Sequence, residues 1–260
     1  MSLTPPHAAR NDAAGHRNGS TPTVLLVHGG FSDASIWSRV ISDLAPSGID
    51  VMAPANPLRG LEADAACIAA VATALDCPVI LAGHGYGGAA VTVAGGAAPN
   101  VVGLVYVAGY ALDAGESCLD IDGRFASSGL PAALRPATYR NAGGRLAVEL
   151  YLAADAFRDV LAADVPAAVT HVCALAQRPI AAAALEEPAP AAAWRFVPSW
   201  YVVAAADRAV APDAQRFMAR RAACQATEVH ASHAVTLSQP EAVGSVIRAA
   251  VLSRRPVAGR

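Results

Sequence analysis

At 260 residues, 54% of them hydrophobic and 15% charged, the chain is long enough to bury the core of one α/β domain with an insertion. A formal net charge of -2, with no basic patch interleaved with aromatic residues, argues against nucleic acid or an anionic membrane as partner. The cysteines (Cys67, Cys77, Cys118, Cys173, Cys224) are odd in number and lack C-x-x-C or zinc-finger spacing, so they read as free thiols in a reducing, cytoplasmic compartment; no apolar run reaches the ~18 residues of a membrane span.

Residues 1–20, with Pro5, Pro6, Arg10, Asn11, Asp12 and Gly15, lack an apolar signal core and predict a flexible tail. The first part of the core is expected over 21–111. Residues 23–28 form a continuous apolar run, as in a strand covered on both faces. Gly29, Gly30 and Phe31 make a loop, and Ser32 or Asp33 can cap a helix over 34–45 that carries Ile36, Trp37, Val40, Ile41 and Leu44 on one face. Pro46 and Gly48 end it, a strand follows at 49–53, and a second helix is expected over 61–75.

Residues 78–97 are the centre of the pattern. A short apolar run at 79–82 meets the turn Gly83-His84-Gly85-Tyr86-Gly87 and continues into a small-residue helix. This is the strand–turn–helix setting of a nucleophile elbow, in which G-x-S-x-G holds a serine on a strained corner. The flanking positions must be small because strand and helix cross there, and Gly83, Gly87, Gly88 and Ala89 meet that need. The central position is Gly85, so the frame is present without its nucleophile. Another buried strand is expected at 101–108, and strands alternating with helices imply a parallel sheet.

From 112 to 197 the pattern changes. Glycines and prolines interrupt its first half, and helices are expected near 145–153, 156–162, 167–176 and 181–187, together a helical cap. The second part of the core, 198–253, holds a strand at 199–205, a helix at 212–222 opened by Pro212, a short strand at 227–230 and a last helix at 240–252. Residues 254–260 are expected to fray as a second flexible tail.

In parallel sheets, ligands bind at the carboxyl ends of the strands. His28-Gly29-Gly30-Phe31, Gly85, Asp113, Asp207 and His233 all fall at such ends. The order position 85, acid, histidine matches the Ser…Asp…His order of one hydrolase class. The segments Val27-His28-Gly29-Gly30-Phe31, Gly83-His84-Gly85-Tyr86-Gly87-Gly88, Asp207-Arg208 and Ser232-His233-Ala234 resemble the small bacterial esterase-like branch of the α/β-hydrolase superfamily, over about residues 21–252. That resemblance implies an α/β-hydrolase fold: a mostly parallel sheet of about six strands flanked by helices, with a helical cap insertion. It departs at Gly85, which occupies the serine position.

Carried over by position, His233 is the base and Asp207 the acid that orients it. Asp113 and Glu116 are rivals for the acid. The backbone N–H of Tyr86, with that of Gly30 or Phe31, would form an oxyanion hole. His28 is expected to brace that loop, and with Trp194, Tyr139 and Phe125 it is a candidate for substrate contact. His84 is expected to be structural, and Tyr151 and Phe157 add to the cap aromatics. No His/carboxylate cluster has metal spacing, so neither metal nor cofactor is expected. The resemblance implies an esterase or lactonase acting on a small, mostly apolar ester-like substrate, with acyl-enzyme hydrolysis lost or strongly impaired at Gly85. Two other functions remain open: a lyase, cofactor-free oxygenase or water-activating hydrolase that uses His233/Asp207 as general base, and a non-catalytic small-molecule binder. The partner expected is a small-molecule substrate or ligand, and a homodimer is allowed.

Overall fold

The computed structural model describes residues 21–125 and 129–254. The expected tail at 1–20 lies outside them, as does the tail at 254–260 except for Arg254, which closes the last helix. The first half of the core alternates β1 (Thr23–Val27), α1 (Ser38–Leu44), β2 (Val51–Met52), α2 (Leu61–Thr73), β3 (Val79–His84), α3 (Tyr86–Ala97) and β4 (Val101–Val107). A 3-10 turn at Ala34–Trp37 precedes α1, and its cap is Asp33, whose carboxylate accepts the Ser35 N–H.

The insertion follows, with α4 (Cys118–Asp122), α5 (Leu130–Ala133), β5 (Leu134–Arg140), β6 (Leu146–Leu152), α6 (Ala154–Leu161), α7 (Ala167–Ala176), β7 (Ile180–Ala181) and α8 (Ala182–Glu186). The core resumes with β8 (Ser199–Ala204), α9 (Pro212–Arg221), β9 (Gln225–Val229), α10 (Val235–Ser238) and α11 (Pro240–Arg254).

The core strands form one parallel six-stranded sheet in the order β2-β1-β3-β4-β8-β9. β3 and β8 are buried at every residue because helices cover both faces: α3 packs on β1, β3 and β4, and α11 packs on β3, β4 and β8. The outer layer adds α2 against α3 and α1 against α11. The glycines at the centre permit this closeness. A Cβ on Gly83 would lie 2.4 Å from the Gly87 carbonyl oxygen, and one on Gly87 would lie 2.3 Å from that of Val27.

The insertion differs from an all-helical cap. Its α6 and α7 fall where helices were expected, but residues 146–152 form a strand, and β5-β6-β7 make a three-stranded antiparallel sheet. The cause is the turn between β5 and β6. The Asn141 side-chain oxygen accepts the Gly143 and Arg145 N–H groups, and Gly144 takes φ +73°, closing a hairpin whose cross-strand pairing outweighs the helix propensity of Leu, Ala and Glu. Residues 180–181 likewise add to the sheet before α8 begins.

Candidate active site

The corner between β3 and α3 is held from several sides. Gly85 has φ +55° and ψ -124°, a conformation that favours glycine. Its N–H donates to the Val107 carbonyl at 3.2 Å, and its own carbonyl accepts the Gly88 and Tyr110 N–H groups at 3.0 and 3.1 Å. The corner therefore keeps its shape without a side chain.

Opposite this corner stands an imidazole fixed at both ends. His233, in the loop after β9, donates from Nδ1 to Asp207 Oδ2 at 2.7 Å. Asp207, just past β8, also accepts the Ala209 and Val210 N–H groups at 2.7 and 3.0 Å and the Gln215 amide at 2.7 Å. Four donors satisfy this buried carboxylate as an anion. Gln215 in turn accepts the Ala204 N–H at 2.9 Å, tying α9 to the end of β8. The remaining ring nitrogen of His233 faces the glycine: a Cβ built on Gly85 would sit 3.0 Å from Nε2.

The His233 loop is also clamped. Its carbonyl accepts a hydrogen bond from His84 Nε2 at 2.9 Å, with the two rings 4.5 Å apart. Burial, then the nearby charge of His233, pushes the His84 imidazole down to about 3, so His84 stays neutral and adds no positive charge beside His233. On the cap side, Ser232 bonds Asp164 through both its N–H and its hydroxyl, and the Ala234 N–H donates to the Leu161 carbonyl at 2.7 Å.

The loop after β1 supplies the third corner. His28 is fully buried, with Nδ1 donating to the Gly29 carbonyl and Nε2 accepting the Asn56 N–H, while the Asn56 amide holds the His28 carbonyl. Burial lowers its pKa, consistent with this neutral, brace-like state. Both ring nitrogens are engaged by backbone, so His28 does not contact the cleft as a substrate ligand. The Phe31 N–H donates to the Arg178 carbonyl at 3.0 Å, which removes it from the oxyanion-hole pair. The N–H groups of Gly30 and Tyr86 find no acceptor among the described residues. The Tyr86 ring is anchored away from the corner by its hydroxyl on Asp64 at 2.8 Å.

Two clefts meet at this point. One runs under α6 and α7 and is walled by Ile36, Phe157, Leu161, Cys173, Ala176 and Leu237. The other is lined by Gly85, Tyr86, Tyr110, Asp122, Ile180 and Leu185. Gly30, Phe31, Leu161 and His233 border both.

Most cap aromatics are not in these walls. Trp194 donates its indole N–H to the Leu112 carbonyl and lies under the guanidinium of Arg195. Tyr139 lies under Arg59, Phe125 packs on Phe217, and Tyr151 bonds Glu149. Of the five, Phe157 lines one of these two clefts. The rival acids are occupied elsewhere: Asp113 by a bidentate pair with Arg195, Glu116 by Arg221 and Arg124. Gln215, Asp164 and Asp122 carry no motif in the sequence; polar residues near helix ends are their only local signal.

The chain matches the model of the alpha/beta hydrolase family over residues 24–246 and belongs to that family. Similar solved structures include a pyrethroid hydrolase from Sphingobium faniae JZ-2, 19% identical, covering 90% of this chain and 99% of that one at a TM-score of 0.73. A polyneuridine aldehyde esterase is 17% identical, with 88% and 99% covered and a TM-score of 0.76. A methylesterase of Arabidopsis is 15% identical, with 89% and 99% covered and a TM-score of 0.73. No curated protein sequence matches the chain. Among the described residues, no helix is long and apolar enough to cross a membrane.

Proposed function

We propose that the chain is an esterase- or lactonase-type α/β-hydrolase for a small, mostly apolar ester-like substrate, and that the acyl-enzyme route is closed at Gly85. The observation that carries this is the imidazole of His233, oriented by Asp207 and aimed at residue 85 across the space a serine side chain would fill. The esterase and hydrolase activities in the names of similar structures point the same way.

Without Oγ, the remaining groups support hydrolysis by an activated water. His233 Nε2 takes a proton from a water held beside Gly85, and the hydroxide adds to the substrate carbonyl. The oxyanion that forms lies between the Gly30 and Tyr86 N–H groups, and the imidazolium, stabilised by Asp207, returns its proton to the leaving alkoxide. General-base assistance of this kind contributes about 10²–10⁴-fold, far below the roughly 10⁶ carried by a complete nucleophilic triad. The intact His233/Asp207 pair equally favours base catalysis on an acidic substrate proton, as a lyase or cofactor-free oxygenase would need.

The test compares the chain, His233→Ala and Gly85→Ser on p-nitrophenyl esters and lactones. Slow turnover that disappears in His233→Ala, with a large gain in Gly85→Ser, is the expected result. Turnover unchanged in His233→Ala removes the base from the scheme. Absence of any ester turnover in all three overturns the ester-hydrolase reading.

A further inference from the structure

We propose that the Tyr110–Asp122 pair in the second cleft is the recognition site for a cationic group, so that the substrate is a small ester-like molecule carrying a protonated amine. The proposal deepens the hydrolase assignment above and rests on it for the position of the reacting carbonyl.

The argument starts from how the chain treats its other sheltered carboxylates. Glu116 is met by Arg221 and Arg124, Glu149 by Arg59, Asp113 by Arg195, and Asp43 by Arg248. Asp207 has four donors, and Asp64 accepts the Arg59 N–H and the Tyr86 hydroxyl. Asp122 has neither an arginine nor backbone donors among the described residues. Among the described residues its only hydrogen-bond donor is the Tyr110 hydroxyl, 3.0 Å from each carboxylate oxygen. An ionised carboxylate has about four lone-pair sites, so among the described residues most of its capacity is without a donor.

Its placement supplies the second half of the argument. Asp122 lines the same cleft as Gly85, Tyr86 and His233, beside the reacting position. Among the described residues no Lys or Arg lines either cleft, and a second carboxylate, Asp33, borders the one under α6 and α7. The field there favours a positive ligand and repels an anion. The ionisable groups acting on Asp122 are Tyr110, Asp207 and His233 from the core and Cys118 from its own helix. Burial is the largest influence and raises its pKa to about 6, which leaves the carboxylate ionised at pH 7.5 and short of solvation. A primary ammonium brings three N–H donors and the charge that this site lacks.

The test is calorimetric titration of the full chain at pH 7.5 and low salt with benzylamine, benzyl alcohol and benzoate, three probes of similar size. Benzylammonium should bind about tenfold or more tightly than benzyl alcohol, with benzoate weakest. In Asp122→Asn the ammonium advantage should vanish while benzyl alcohol affinity stays within about twofold. Equal binding of amine and alcohol by the unaltered chain overturns the proposal without relying on any variant, as does an amine preference that survives Asp122→Asn. Binding is read without turnover, so a chain that hydrolyses no ester but shows this preference sinks the hydrolase assignment and leaves the cation site standing.

Discussion

Replacing Gly85 by serine probes both halves of the site. The residue sits at φ +55°, where a side chain costs about 1–3 kcal/mol. The new Cβ would also lie 3.0 Å from His233 Nε2, so the imidazole has to retreat by a few tenths of an ångström while Asp207 holds its ring and His84 its backbone carbonyl. For a domain of this size each kcal/mol corresponds to roughly 2–4 °C, which predicts a fall in Tm of several degrees. Gly85→Ala should show the same fall, because strain and contact come from the Cβ and not the hydroxyl. Only the serine variant gains a nucleophile. Against a short-chain p-nitrophenyl ester it should show a burst and at least about a 10²-fold rise in kcat/KM, equivalent to roughly 2.7 kcal/mol of transition-state stabilisation. A fluorophosphonate should label Gly85→Ser at residue 85, detected by mass, and fail to label the unaltered chain, Gly85→Ala or Gly85→Ser/His233→Ala. A folded serine variant that gives neither burst nor label would mean that the imidazole and the corner do not form a working pair.

Three further outcomes follow from the contacts. Asp122 has a folded pKa raised to about 6, so the protonated form stabilises the fold fully below about pH 4, and that contribution is lost as pH rises through 6. Asp122→Asn should therefore raise stability by about 3 kcal/mol at pH 7.5 and by almost nothing near pH 4, read from Tm at the two pH values; an equal gain at both refutes the titration. Gln215→Leu strips Asp207 of a donor and leaves the Ala204 N–H unpaired, for a loss of about 2–4 kcal/mol in chemical denaturation, and an unchanged midpoint would show that the amide is dispensable. Asp164→Ala releases Ser232 and should cost about 1–2 kcal/mol. In the Gly85→Ser background it should also slow fluorophosphonate labelling about tenfold, because the loop that carries His233 loosens; labelling at the same rate argues that the His84 and Leu161 contacts suffice to hold that loop.

How far the sequence could be read depended on whether each feature is local or assembled. The parallel core was legible because β1, β3, β4 and β8 are continuous apolar runs, and because a corner as crowded as Gly83–Gly87 admits only the smallest residues. The hairpin in the cap was not. Leu146–Leu152 carries residues that suit a helix, and only the Asn141–Gly144 turn with its cross-strand partners decides for a strand. The same division separates the site residues. Residues 85, 207 and 233 announce themselves through fixed neighbours in sequence, whereas Trp194 and Tyr139 look like pocket aromatics until Leu112 and Arg59 are seen to occupy them. Asp122 sits two residues past a Ser117/Asp120 capping box, where an acidic residue reads as an ordinary helix-end charge; folding turns it toward Tyr110.

The groups missed by sequence explain why a glycine at the corner leaves the centre intact. The orientation of His233 does not depend on residue 85. It depends on Asp207, itself held by Gln215 from α9, on the His84 ring at the end of β3, and on Asp164 from the cap acting through Ser232. Removing an Oγ deletes one partner of Nε2 and relieves strain at the bend, but it touches none of these contacts. A glycine corner by itself requires no buried carboxylate with four donors, and an unpaired buried carboxylate would be among the most destabilising groups in the domain. The imidazole is thus held in its orientation independently of residue 85, which is what the proposed base chemistry requires.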